Sequence, residues 1–286
     1  MTKTQISISL IITTVLGALV GWAGSQHGQL SGGYPIYLLC VGVAFGLNWL
    51  AFVPAYVLQT EKFYDVVGSL TYIIITLIAV WLSDDLDTRS YVLAAMVLVW
   101  TLRLGLFLYT RIHRVGKDDR FDSIKPSFFR FLNAWTIQAL WVIFTSSAAI
   151  IAITSVHKVD LGVYAYIGCG IWLIGFLIEV VADHQKSVFK KDAANAGKFI
   201  KSGLWSKSRH PNYFGEIVLW IGVLVVAIPV LQGWQWIAMI SPLFVVLLLT
   251  RVSGIPMLEA KAEKKWGGQE EYEAYKKKTP ILVPGL

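Results

Sequence analysis

The chain is 286 residues long and 56% hydrophobic, with 12 tryptophans, only 15% charged residues and a mean hydropathy of +0.60. A soluble globular domain of this length carries more charge and a more broken apolar pattern, so the composition excludes that class. The net charge of +7 is gathered into a few connecting segments, where it reads as a topology signal and calls for no nucleic-acid partner.

Repeated apolar runs of roughly 17–25 residues predict an all-α, polytopic integral-membrane bundle of seven or eight transmembrane helices. In chain order the spans are expected near Ile6–Ala23, Ile36–Leu58, Val66–Trp81, Tyr91–Tyr109, Phe131–Val156, Val163–Ala182, Tyr213–Leu231 and Trp234–Val252. The first run lacks an A-x-A-like cleavage site and is expected to be retained. No Pro- or Gly-rich linker divides the chain, so residues 1–286 read as a single membrane domain. Cys40 and Cys169 both lie in apolar runs and read as small core residues.

The connecting segments fit eight crossings. Arg111, Arg114, Lys117, Arg120, Lys125 and Arg130 follow the fourth span, and Lys186, Lys190, Lys191, Lys198, Lys201, Lys207 and Arg209 follow the sixth. Lys261, Lys264, Lys265 and Lys276–Lys278 follow the eighth, so all three basic segments share one side. The opposite side receives neutral or acidic segments such as SDDLDTRS. By the positive-inside rule the basic side, with both termini, faces the cytoplasm. The membrane is the inner membrane in a bacterium or the endoplasmic reticulum in a eukaryote. The charged tail Met257–Lys278 is helix-prone, either as an interfacial helix on anionic lipid or as a lid over a site.

Ionisable groups near the spans need partners, because burying one in the bilayer costs roughly 2.5–3.5 kcal/mol. Arg103 in the fourth span either snorkels or pairs between helices. Glu179 and Asp183 sit four apart on one helix face, where two carboxylates repel unless cations or ligand hydroxyls share them. Glu216 lies near the start of the seventh span, in a structural or a ligand-binding role. Arg251 closes the eighth span and either snorkels or reaches an anionic ligand. Glu61, Tyr64 and Asp65, between the second and third spans, are either an ordinary turn or the groups that polarise a carbonyl and supply a proton. His184, Asp183 and His210 lack metal-ligand spacing, and no metal is expected. The run GCGIWLIG at Gly168–Gly175 has no preceding strand, so tight helix packing explains its glycines better than dinucleotide binding does.

The most polar stretch is Gly197–Glu216, GKFIKSGLWSKSRHPNYFGE. It carries Lys198, Lys201, Lys207, Arg209 and His210, with no acidic residue before Glu216, and runs into an apolar helix. Ser208 or His210 is suited to cap that helix and Pro211 to its first turn. Free N–H groups, the positive end of the helix dipole and the cations together make an anion site at the membrane surface.

These residues resemble the C-terminal domain of the steroid 5-alpha-reductase family, most closely its multi-spanning branch, over about the last two-thirds of the chain, residues 110–286. The resemblance rests on the acidic residue and Asp183 ending a span, Gln185-Lys186, the Asn195-Ala-Gly-Lys198 loop, Gly203-Leu-Trp205 and Ser208-Arg-His-Pro-Asn-Tyr-Phe-Gly-Glu216. Arg251–Glu259 and the EEYEAYKKKT tail fit as well. It implies a membrane reductase that uses NADPH to saturate a carbon–carbon double bond conjugated to a carbonyl in a sterol-like or other lipid substrate. The nucleotide contacts it implies fall on Glu179, Asp183, Asn212, Glu216 and Arg251, with Lys198, Lys201, Arg209, His210 and Tyr213 around them. Glu179 departs from the amide of the steroid enzymes. The substrate grip departs too: this chain has Gln59-Thr-Glu61, then Tyr64-Asp65, with Trp100 where a tyrosine of the family aligns. The Arg-His-Pro-x-Tyr-x-Gly core is also similar to isoprenylcysteine and phospholipid methyltransferases, which implies S-adenosylmethionine as the alternative cofactor. A non-catalytic membrane protein is the third possibility. The expected partners are the bilayer and a hydrophobic small molecule.

Overall fold

A computed structural model of the chain describes residues 3–285. Among these residues eight helices are long and apolar enough to cross a membrane, and the protein is a polytopic helical membrane protein. The helices are α1 (Lys3–Gly24), α2 (Ile36–Val57), α3 (Tyr64–Leu82), α4 (Thr88–Val115), α5 (Phe128–Thr154), α6 (Val163–Lys191), α7 (Pro211–Ala227), α8 (Ile240–Leu247), α9 (Ile255–Trp266) and α10 (Glu270–Lys278). A two-residue hairpin, β1 (Leu30–Ser31) and β2 (Tyr34–Pro35), joins α1 to α2.

The chain packs as two compact units. The first comprises Met1–Ala165 with Val226–Ser241. At its centre is α5, almost wholly buried and in contact with α1, α2, α3 and α4. Its small residues from Ser146 to Ala149 permit that crowding. The hydroxyls turn back on their own helix: Ser146 donates to the Val142 carbonyl (2.7 Å) and Thr154 to that of Ile150 (2.9 Å). No polar group is thereby left facing hydrocarbon at those positions. Arg89 on α4 is fully buried, and its guanidinium donates to the carbonyls of Val226 (2.7 Å), Asp160 (2.9 Å) and Val159 (3.3 Å). Asp87 caps α4 by accepting from the Ser90 N–H at 2.8 Å.

The second unit comprises Tyr166–Val225 with Pro242–Leu286. Here α6 and α7 meet backbone to backbone. A Cβ on Gly175 would lie 2.5 Å from the Leu219 nitrogen, and one on Gly222 would lie 2.5 Å from the Trp172 nitrogen. Gly175 is therefore a packing residue, as its setting in an apolar helix implies, and the Gly168 carbonyl takes part in the same contact, whereas a Cβ on Gly170 would meet nothing within 4 Å.

Two elements differ from the sequence expectation. The eighth span is not one regular helix over Trp234–Val252. It enters as a 3-10 turn (Gly233–Met239), continues as α8 and leaves as a π turn (Leu248–Val252). Gln232 and Gln235 close the entry as a capping box, and the Ser253 N–H returns to the Leu248 carbonyl at 2.9 Å. The tail is two helices rather than one, broken at Gly267–Gly268, where Gly268 takes a φ of +78° that a side chain would resist.

Candidate functional site

The C-terminal end of α6 organises the site in the second unit. Gln185 accepts the Leu204 N–H at 2.9 Å, and the Trp205 indole N–H donates to the Ala182 carbonyl at 3.0 Å. Gly203 is required at this seam: its φ is +60°, and a Cβ there would lie 2.5 Å from the Gln185 amide. Lys186, one turn past Ala182, sits over the Trp205 ring at 4.3 Å. The Gly-Leu-Trp motif thus folds the basic loop back onto α6.

The Ser-Arg-His-Pro motif is tied to the end of the chain. The Ser208 hydroxyl donates to the Leu282 carbonyl (2.7 Å) and accepts the His210 N–H (3.1 Å), while the Arg209 N–H donates to the Pro280 carbonyl (2.9 Å). Because α7 begins at Pro211, Ser208 lies too far upstream to cap it; its hydroxyl fixes the turn before the helix instead. Arg209 and His210 then share one carboxylate. Arg209 Nη1 donates to Glu259 Oε2 at 2.5 Å, and His210 Nε2 meets Glu259 Oε1 at 2.8 Å. Burial pushes the His210 pKa below its ordinary value, with Lys186 and Arg209 adding to the shift and Glu259 opposing it. Facing the Glu259 carboxylate, a neutral ring donates from Nε2, and the buried Nδ1 has no hydrogen-bond partner among the described residues. Tyr213 stacks on it at 5.7 Å with 10° between the planes.

Around this pair lies a cavity of about 290 Å³. Lys186, Lys190, Lys198, Arg209, Lys261 and Lys265 supply cationic walls, and Phe199, Trp205, Trp266, Tyr272 and Tyr275 supply aromatic ones. The tail helices α9 and α10 form much of the lining, so the tail walls the site and its aromatic residues face protein. Trp266 and Tyr272 both pack on Phe199, with centroids 5.7 and 5.2 Å away. The Tyr275 hydroxyl donates to the Trp205 carbonyl at 2.6 Å.

Of the cofactor residues expected from the sequence, Lys198, Arg209 and His210 line this cavity. Asp183 and Asn212 pair with each other, the Asn212 amide donating to Asp183 Oδ1 at 3.2 Å, and neither lines it. Glu179 is buried on α6 behind Gly215, whose Cβ would lie 2.7 Å from the Glu179 nitrogen. Glu216 is half-buried one turn beyond Asn212, and Arg251 is exposed in the π turn. Lys201 points away and pairs with Glu271.

The proposed catalytic residues sit in the first unit, each with a partner. Glu61 is buried, bonded to Lys125 Nζ at 2.5 Å, and accepts the Asp118 N–H at 2.9 Å. Burial raises its pKa, but the lysine and the backbone donor outweigh burial and hold the carboxyl below its ordinary value. It is ionised at neutral pH and has no proton to give. Asp65 pairs with Arg111 at 3.0 Å. Tyr64 donates its hydroxyl to the Ala134 carbonyl at 2.9 Å, with its ring against Phe121 and Trp135.

Sequence reasoning missed Glu259. It falls 49 residues after His210, in a stretch read only as part of a resemblance, and no local pattern marks it. It also passed over Phe199, a single ring in the basic stretch that no local pattern marks.

Residues 51–279 match the family described as Protein of unknown function (DUF1295). The 3-oxo-5-alpha-steroid 4-dehydrogenase 1 of Bos taurus is 31% identical over 119 residues, covering 42% of this chain and 41% of its own. Delta(14)-sterol reductase of Arabidopsis thaliana is 36% identical over 74 residues, 22% of this chain and 20% of its own. Steroid 5-alpha-reductase DET2 of Gossypium hirsutum is 28% identical over 117 residues, 41% and 40% respectively. This chain spans about two-fifths or less of the length of these relatives. No solved structure matches it.

Proposed function

We propose, from the premise that this chain belongs to the DUF1295 family, that it is a membrane reductase of steroid or sterol type that takes NADPH. The observation that carries the reading is the cavity at the entry to α7. There, one arginine, five lysines and six aromatic side chains converge beside buried nitrogens, Arg209 Nε and His210 Nδ1, that have no hydrogen-bond partner among the described residues. Cations beside stacking rings suit a phosphate-bearing nucleotide. At about 290 Å³ the cavity is at the small end of ligand sites, with room for one end of a dinucleotide. Asp183, Asn212, Tyr213 and Glu216 on α6 and α7, with Glu179 behind them and Arg251 at the membrane edge, are assigned to the remainder; Lys201 would have to leave Glu271 to take part.

NADPH, when bound, would supply a hydride to the β carbon of a double bond conjugated to a carbonyl, becoming NADP+, and the α carbon would take its proton from water. The protein's part is to hold the nucleotide and to bond the carbonyl oxygen. Of Glu61, Tyr64 and Asp65, Tyr64 carries the O–H, and it serves by exchanging the Ala134 carbonyl for the substrate's. Ionised Glu61 and Arg111-bound Asp65 fix the turn that presents it. We place the basic connections and both termini in the cytoplasm, so that the nucleotide enters from there and the lipid substrate from the bilayer.

The test is calorimetric titration of the detergent-purified protein with NADPH, NADH and S-adenosylmethionine side by side. Saturable NADPH binding, lost in Asn212→Ala and Glu216→Ala variants that keep their melting temperatures, is expected. A response to S-adenosylmethionine alone would replace this reading with the methyltransferase one, and unchanged NADPH binding in both variants would remove the assignment of the site.

A further inference from the structure

Glu259 holds the anion position of the cavity with a carboxylate of the protein's own. Its two oxygens take Arg209 Nη1 at 2.5 Å and His210 Nε2 at 2.8 Å, inside a ring of lysines that includes Lys186, Lys190 and Lys198. The grip is well built. The His210 side chain is 5% exposed and that of Arg209 12%, so both donors are fixed, whereas the Glu259 side chain is 26% exposed and has an outward path. Among the described residues, His210 Nδ1 and Arg209 Nε have no hydrogen-bond partner beside it.

We infer that Glu259 is the specificity-determining residue of this cavity: an internal monoanion that a ligand must displace, so that phosphate or pyrophosphate groups are admitted and carboxylates are refused. A ligand carboxylate offers Arg209 and His210 nothing that Glu259 lacks, and it competes against a tethered group with a high effective concentration. A phosphate monoester brings roughly −1.5 to −2 charge and three acceptor oxygens, enough to hold Arg209 and engage cavity-lining lysines such as Lys198, Lys261 and Lys265 as well. Once displaced, the carboxylate turns outward into solvent. The inference deepens the cofactor reading and rests on it for the natural ligand; the discrimination itself rests on the cavity.

The experiment is calorimetry on the full chain in detergent, with inorganic pyrophosphate, acetate and NADPH as probes. Wild type is expected to bind pyrophosphate and to ignore acetate. Glu259→Gln, which keeps the shape and removes the charge, is expected to tighten pyrophosphate about tenfold and to let acetate compete, as the gain from freeing a desolvated charge pair allows. Glu259→Asp, whose shortened arm loosens the grip, should gain severalfold, and it carries the test if the glutamine variant does not fold. A purely structural ion pair predicts the opposite: a lower melting temperature with pyrophosphate affinity unchanged or weaker. That result, or acetate competing in wild type, overturns the inference. If neither form binds pyrophosphate, it fails as well. NADPH failing to bind while pyrophosphate follows the expected pattern would remove the cofactor reading and leave this one standing. NADPH binding equally to wild type and Glu259→Gln would do the reverse.

Discussion

Replacing Gly215 with alanine adds one methyl group at the closest approach of α6 and α7. The new Cβ would lie 2.6 Å from the Gly175 carbonyl oxygen, 2.7 Å from the Glu179 nitrogen and 3.1 Å from the Glu179 Cα. A comfortable carbon–oxygen contact is roughly 3.3–3.6 Å, so the helices must separate by about 0.7–1 Å. All three blocking atoms are backbone, and no rotamer change relieves them. Overpacking of this kind costs about 1–3 kcal/mol, and rigid obstacles put Gly215→Ala toward the upper end. The same separation acts one turn away, where Asn212 donates to Asp183 at 3.2 Å; adding ~0.7 Å takes that contact beyond hydrogen-bond range. The control is Gly170→Ala on α6, where a Cβ meets nothing within 4 Å and helix propensity favours alanine by roughly 0.5–1 kcal/mol. Melting followed by tryptophan fluorescence in detergent should therefore fall for Gly215→Ala by roughly 4–8 °C and hold or rise for Gly170→Ala. Equal effects at the two positions, or a Gly215→Ala protein as stable as wild type, would refute the argument that backbone contact sets this interface.

Three further outcomes follow from other contacts. His210 has a folded pKa below its ordinary value, so the unfolded chain takes up the proton first; its contribution is complete above about pH 6.5 and is lost as pH falls below that. An acid series of melting temperatures should fall more steeply below about pH 6.5 for wild type than for His210→Gln. Arg89→Met removes donors from three carbonyls, of which that of Val226 is buried while those of Val159 and Asp160 are partly exposed and can turn to water; at about 1–3 kcal/mol for the buried group it should lower the melting temperature and raise protease sensitivity. Trp205→Phe removes the indole N–H given to Ala182 and should cost about 1 kcal/mol by thermal unfolding, while Trp205→Ala, which empties the seat, costs about 3–5 kcal/mol.

Features that depend on neighbours in the chain were legible in the sequence, and those that depend on distant partners were not. The spans could be read because lipid forces each helix to satisfy itself, so apolar length alone reports them. Gly175 could be read as a packing residue because its apolar flanks left no other use for it. The irregular eighth span could not: a π turn and a 3-10 entry have the same apolar composition as a straight helix, and only packing selects between them. The site was half legible for a related reason. Counting cations over Gly197–Glu216 locates an anion site, since no acid lies in that run before its end. Counting treats the cations as equals, and the fold does not. Lys201 is neutralised by Glu271, Arg209 is engaged by Glu259, and Lys198 still faces the cavity. Both carboxylates come from the tail, more than forty residues downstream. The effective charge of the site is therefore set by how the tail folds over it, and substitutions in α9 and α10 should tune anion affinity as strongly as substitutions in the basic loop itself.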